Sequence, residues 1–194
     1  MAVLDGHGGP TVAQLVQNTY PRILRELLLK YDKASSLSTL LRKSIDLIDG
    51  QIKMNASRSE GSTFCGMLLD LYGKVIHVVN IGDSGAIQLD PPAFITTPHK
   101  PGDHDETARI KESNGIVING RVGGVLAVSR ALGDYEMRPF GIVSTPDIRE
   151  WEMRRGVYAL ASDGVWDWVD APKFAEVVAK VGTNNLEAAS KLIV

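Results

Sequence analysis

Three aspartates each close an apolar stretch beside a glycine: Asp5 in Asp5-Gly6-His7-Gly8-Gly9, Asp83 in Asn80-Ile81-Gly82-Asp83-Ser84-Gly85, and Asp163 in Leu160-Ala161-Ser162-Asp163-Gly164, with Asp167 following soon after. A strand end fixes where a carboxylate points, and bare glycine backbone lets another group approach the main chain closely. Carboxylates held in this way are hard oxygen donors. Mg²⁺ and Mn²⁺ take a few such ligands and keep several waters, and two such ions about 4 Å apart stabilise in-line attack on phosphorus. Any one of these aspartates taken alone reads as a side chain satisfying a turn. Their recurrence is what points to a metal, and whether they converge is not a property of spacing.

Two other chemistries are tested by the same residues. Gly6 and Gly8 match the first positions of the dinucleotide fingerprint G-x-G-x-x-G, but its third glycine falls on Thr11, and Asp5 would set a negative charge beside the pyrophosphate. Cys65 is the only cysteine, so no intrachain disulfide, CxxC pair or thiolate zinc site can form, which favours a reducing compartment. Phosphatases with a thiolate nucleophile carry an Arg six residues after it in a phosphate loop. Position 71 here is Leu, and Cys65 sits in a strand-like run.

These residues need elements to hold them. With 194 residues, 44% of them apolar and 23% charged, the chain can bury a core, and a net charge of −2 gives no bulk attraction to nucleic acid or an anionic membrane. No secretory leader is read at the N-terminus, and no apolar run reaches the ~18 residues that span a bilayer. Residues 1–5 read as a short strand. Val12, Val16, Tyr20, Ile23, Leu27 and Tyr31 then mark one face of a helix that Pro21 should kink or interrupt, and after a serine-rich break at 35–38 Leu37, Leu41, Ile45, Ile48 and Ile52 mark a second. Runs at 64–72 and 74–81, with Gly73 between them, predict a hairpin whose second strand is apolar on both faces, so the sheet should be covered on both sides. A helix is expected over 103–114, strands near 116–118, 142–144, 147–153 and 157–162, and helices over 171–181 and 185–194. His77 and His99 read as structural, His104 sits near a helix start, Arg130 is expected to pair with a carboxylate such as Asp134, and Trp166 and Trp168 are expected as core anchors.

In order along nearly the whole chain, AVLDGHGG at 2–9, GSTFCGML at 61–68, VVNIGDS at 78–84, HKP at 99–101, RVGGVLAVSRALGD at 121–134 and LASDGVWD at 160–167 resemble the motifs of the metal-dependent serine/threonine protein phosphatases of type 2C, the PPM family. The resemblance implies an α+β fold, a four-layer αββα sandwich of two mainly antiparallel sheets flanked by helices. It implies hydrolysis of phosphoserine and phosphothreonine in proteins by a metal-bridged hydroxide, with two core Mn²⁺ or Mg²⁺ ions and a third, weaker one. Asp5 would bridge the two core metals, the Gly6 carbonyl would ligate one and Asp163 the other, while Asp83, Asp163 and Asp167 would surround the third. His7 would protonate the leaving oxygen, a role that its near-neutral intrinsic pKa suits; the alternative is a histidine bonded within its turn. The implied partner is a phosphoprotein, with no nucleic acid and no membrane, for a protein monomeric when complete and cytoplasmic or nuclear.

The pattern departs from the family at Gly85, where an Arg is common, and at Pro98, where an Asp is common. The family's domain also carries flanking strands with an Arg, a Glu-Asp and an Asp-Asn that are not found here. Residues 1–194 are therefore expected to be a PPM-type domain incomplete at both ends, lacking its N- and C-terminal edge strands, and weakly active or inactive alone. The competing expectation is a non-catalytic regulatory or binding module with a degenerate phosphatase fold.

Overall fold

The structure, a computed structural model, describes residues 1–32 and 36–182. Two short strands, β1 (Ala2–Val3) and β2 (Gly6–His7), precede two long helices, α1 (Thr11–Leu29) and α2 (Leu37–Asn55). The helices form on the expected apolar faces: Val12, Val16 and Tyr20 from the first and Leu41, Ile45, Ile48 and Ile52 from the second are buried in one cluster. Pro21 does not interrupt α1. Its missing hydrogen bond is a local loss, whereas the preceding Tyr20 packs edge-on against Phe64 at 4.9 Å and meets Ser44 Oγ with its hydroxyl at 3.0 Å, anchoring the helix at that turn. The start of α1 is capped from a distance: Glu60 accepts from the Thr11 backbone N–H at 2.8 Å and from its hydroxyl at 3.0 Å, setting a carboxylate at the positive helix end.

Next come β3 (Gly61–Ser62) and the expected hairpin of β4 (Phe64–Asp70) and β5 (Val75–Ile81), with Phe64 opposite Ile81. Its turn is closed by Asp70 Oδ1, which accepts from the N–H groups of Tyr72 and Gly73, and the left-handed residue is Lys74 rather than Gly73. Two strands then appear that the sequence reading did not anticipate, β6 (Gly85–Leu89) and β7 (Pro92–Phe94). They are followed by α3 (His104–Glu112), the β8 (Val117–Ile118) and β9 (Arg121–Val122) ribbon, β10 (Leu132–Gly133), β11 (Asp147–Glu152), β12 (Tyr158–Ala161), α4 (Asp163–Trp166) and α5 (Ala171–Val181). The expected strand at 142–144 is reduced to one bridge between Val143 and Arg130. The helix expected over 185–194 lies outside the described residues.

The larger sheet has the order β1-β4-β5-β11, and a second runs β12-β6-β7, with antiparallel pairing throughout both. Alternation along the hairpin sorts its side chains into two interiors. Phe64, Val79 and Ile81 face α1 and α2, while Cys65, Met67, Ile76 and Val78 pack against Ala86 and Ile95 between the sheets. On the far side Ile87 and Leu89 of β6 meet Ala171 and Val178 of α5. The layers are thus helix, sheet, sheet, helix, the expected α+β sandwich. Among the described residues no helix is long and apolar enough to cross a membrane.

Candidate active site

A third sheet, ordered β10-β3-β2, does most of the positioning. Gly61 of β3 stands opposite His7 on one side and opposite Gly133 on the other. The next residue, Asp134, turns with φ 48°, and its Oδ2 accepts from His7 Nε2 at 2.6 Å. A Cβ on residue 61 would run into both the Asp134 carboxylate and His7 Nε2, so the absent side chain is what lets the two meet above the central strand. Asp134 is 1% exposed. Burial works against charge on the imidazole, but the hydrogen bond and charge of Asp134, with Asp5 and Asp83 behind them, outweigh it and hold the His7 pKa above its ordinary value.

Asp5 lies in the link between β1 and β2. Its N–H donates to Thr63 Oγ1 at 3.1 Å and its carbonyl accepts from Thr63 N at 2.9 Å. The same hydroxyl lies 2.7 Å from Ser84 Oγ, so buried Thr63 ties the Asp5 link to the turn bearing Asp83. Asp163 opens α4 directly after β12. Burial first, and then the adjoining Asp163 carboxyl, raise the Asp5 pKa. Asp83 is likewise pushed up to about 6, first by burial and then by Asp163.

Asp5, His7, Asp83 and Asp163 all line one cleft of ≈ 580 Å³, where Arg121 is the cation. Gly6 lines a separate cleft with Pro10 and Ala13, and Asp167 is turned toward Lys100, whose Nζ lies 2.8 Å from its Oδ1. Among the described residues no three carboxylate, imidazole or thiolate groups close on a single point. What the cleft offers is carboxylates crowded together, Asp163 adding to the burial that raises the pKa of Asp5 and of Asp83, which is a surplus of oxygen donors short of counter-charge. That donor set fits hard divalent cations that draw their remaining ligands from water, and it does not suit a soft metal.

A second layer supports the Asp83 turn. His99 accepts from Gly82 N–H on its ring Nδ1 at 3.1 Å and donates its backbone N–H to the Gly82 carbonyl at 2.9 Å. Behind it, His99 Nε2 stands 3.3 Å from Asp147, which Arg130 also contacts at 2.9 Å. Arg130 continues to Glu106, which also accepts from Arg109 at 2.8 Å and from Ser129 Oγ at 2.6 Å. The His99 ring and then Arg130 hold the Asp147 carboxyl well below the usual range against its burial. Burial opposes ionisation of Glu106 too, yet hydrogen bonds from Arg130, Arg109 and Ser129 bring its pKa down to about 2.

Several expectations are corrected here. Arg130 does not pair with Asp134; it pairs with Glu106 and Asp147, because the β10–β3–β2 register commits Asp134 to His7. Trp166 packs against Phe94 and Phe174, but Trp168 is 85% exposed and anchors nothing in the core. His77 is buried in β5 with Glu150 3.8 Å away, and His104 is an exposed first residue of α3. Cys65 is fully buried and its thiol is pushed up to about 12, which leaves it no nucleophilic role. Gly61 and Thr63 were not singled out from the sequence, and Asp134 was named only as a partner for Arg130, although each lies within one of the motifs quoted above.

Comparison with known proteins places the chain in a family. The family model described as protein phosphatase 2C matches residues 1–194. The chain belongs to the protein phosphatase 2C family. Among its relatives are a rice protein named probable protein phosphatase 2C member 13, mitochondrial, 36% identical over 87% of this chain and 47% of its own length, and a bovine protein phosphatase 1L, 36% identical over 85% of this chain and 50% of its own length. The chain thus spans about half the length of these curated relatives. A solved structure of a C. elegans sex-determining protein superposes with a TM-score of 0.87 at 28% identity, covering 99% of this chain and 50% of that one. A phosphatase from Toxoplasma gondii shares the fold, with a TM-score of 0.77 at 20% identity over 99% of this chain and 77% of its own.

Proposed function

We propose that the acidic cleft hydrolyses phosphoserine and phosphothreonine esters in proteins. The observation that carries this reading is a buried carboxylate, Asp134, bonded to the one histidine that shares a cleft with Asp5, Asp83 and Asp163. Asp5 and Asp163, with Asp83 beside them, would hold Mn²⁺ or Mg²⁺. A bound divalent ion supplies an activated water and neutralises charge on the phosphoryl oxygens.

The rest of the chemistry belongs to the chain. As water attacks phosphorus in line, the bond from phosphorus to the seryl or threonyl oxygen breaks, and that oxygen takes a proton from His7. Asp134 holds the imidazole in orientation and stabilises its charged form until the transfer. Thr63 and His99 keep the Asp5 and Asp83 backbones in place, and Arg121 offers positive charge to the phosphoryl group. Because the described donors come in pairs, activity of this chain alone is low and depends on added metal.

The test is phosphate release from a phosphothreonine peptide with and without Mn²⁺, comparing the native chain with Asp5→Ala. Slow, Mn²⁺-dependent turnover lost in Asp5→Ala is the expected result. Turnover that survives Asp5→Ala overturns the assignment, and the absence of both turnover and Mn²⁺ binding favours the non-catalytic module.

A further inference from the structure

Beside the acidic cleft, and sharing Asp83 with it as a common wall, lies a second concavity of ≈ 320 Å³. Its hard surface is aromatic. Trp166 Nε1 donates to the Gly85 carbonyl at 3.1 Å, and the indole is held between Phe94 at 5.4 Å and Phe174 at 5.2 Å. Phe94 keeps 42% of its surface exposed, so the apolar wall is both fixed in place and accessible. The space depends on the missing side chain at residue 85, where a Cβ would stand 3.1 Å from Trp166 Nε1 and from Thr96 Oγ1. Pro98 contributes another wall. Gly85 and Pro98 are the positions at which this chain departs from the motif pattern it resembles, and both fall in this pocket. Together they replace a basic and an acidic residue type with uncharged surface. The partly exposed Lys100–Asp167 ion pair also lines the pocket.

We propose that this pocket binds a large apolar or aromatic side chain of the substrate, from a residue flanking the phosphorylated serine or threonine, and so sets sequence preference. The proposal rests on the phosphoester reading of the cleft. An extended peptide advances about 3.3 Å per residue, so a phosphoester in the cleft and a side chain in the adjoining pocket belong to residues close together in sequence. The charged groups at its rim, Asp83 and the Lys100–Asp167 pair, leave the Phe94 and Trp166 rings as its apolar wall, and the two rings offer edge and face contacts to a third.

Matched phosphothreonine peptides that differ only by Phe or Ala, placed in turn at the positions next to the phosphoresidue, provide the test. Binding is measured by calorimetry and hydrolysis by phosphate release in Mn²⁺, with p-nitrophenyl phosphate as a substrate that has no flanking residue. At one position the Phe peptide is expected to bind about five- to thirtyfold tighter than its Ala counterpart, the range for burying part of an aromatic side chain. The preference should fall to about twofold or less in Phe94→Ala and return in Phe94→Tyr, with melting midpoints confirming the fold. Should Phe94→Ala not fold, Pro98→Asp, which places a charge in the pocket, should weaken the preference as well. Equal binding of the Phe and Ala peptides at every position, or a preference unchanged in the folded variants, overturns the pocket even if p-nitrophenyl phosphate is hydrolysed. A binding preference without hydrolysis of any substrate instead overturns the phosphatase reading and leaves the pocket standing. No binding of any peptide overturns the pocket.

Discussion

His7 Nε2 and Asp134 Oδ2 lie 2.6 Å apart although 127 residues separate them, and they meet only because Gly61 between them has no side chain. The bond places the imidazole charge beside a buried carboxylate and fixes which ring nitrogen is left for the cleft. Asp134→Asn keeps the shape and removes the charge. It is expected to lower kcat for phosphopeptide hydrolysis by about a hundredfold, the lower part of the range for general acid catalysis, with Mn²⁺ binding by calorimetry unchanged.

Gly61→Ala should damage the same pair from the opposite side. Its methyl group cannot coexist with the present positions of Asp134 and His7, so one of them must move. Overpacking of this kind costs about 1–3 kcal/mol, and the loss of kcat should approach that of Asp134→Asn without adding to it in the double variant. Denaturant midpoints and a kinetic double-mutant cycle check both parts, and fully additive losses would count against a shared cause.

His99→Leu removes the acceptor of the Gly82 N–H and leaves Asp147 with Arg130 alone. An unsatisfied buried donor costs about 1–3 kcal/mol. Because Gly82 precedes Asp83, Mn²⁺ affinity should weaken several-fold along with stability. Calorimetric Mn²⁺ titration at a temperature where the variant remains folded separates the effects, and an unchanged affinity would show that His99 serves stability only.

Acid should unfold this protein partly through Glu106. Its folded pKa of about 2 lies below the ordinary 4.5, so its contribution is fully present above about 4.5 and is lost as pH falls toward 2. The shift corresponds to on the order of 3 kcal/mol at neutral pH. In urea titrations from pH 7 to pH 3, the gap between the native chain and Glu106→Gln should stay constant down to about pH 4.5 and narrow below it, and a gap independent of pH throughout would mean that the carboxylate charge is not what stabilises this network.

Much of the architecture was legible in local patterns. The faces of α1 and α2, the β4–β5 hairpin and its burial on both sides follow from periodicity, because a helix or strand must hide its apolar side whatever it packs against. Pro21 was read too strictly, since a local propensity penalty yields to the tertiary contacts of the adjoining Tyr20. Strands β6 and β7 were missed, and Trp168 was placed inside when it is outside, because burial of a single short segment depends on what lies across from it.

The motifs and their order along the chain determined by themselves the family, since motif order needs no coordinates, and three glycine-flanked aspartates with a histidine two residues after the first pointed to the class of chemistry proposed. Tertiary structure decided the pairings. That Asp134 belongs to His7 rather than to Arg130 depends on strand order and register, and that Lys100 holds Asp167 and Asp83 separates two pockets depends on how distant segments pack together. A shift of one position in the pairing of β3 with its neighbours would take Gly61 from between His7 and Asp134, and no local stretch of sequence specifies that register.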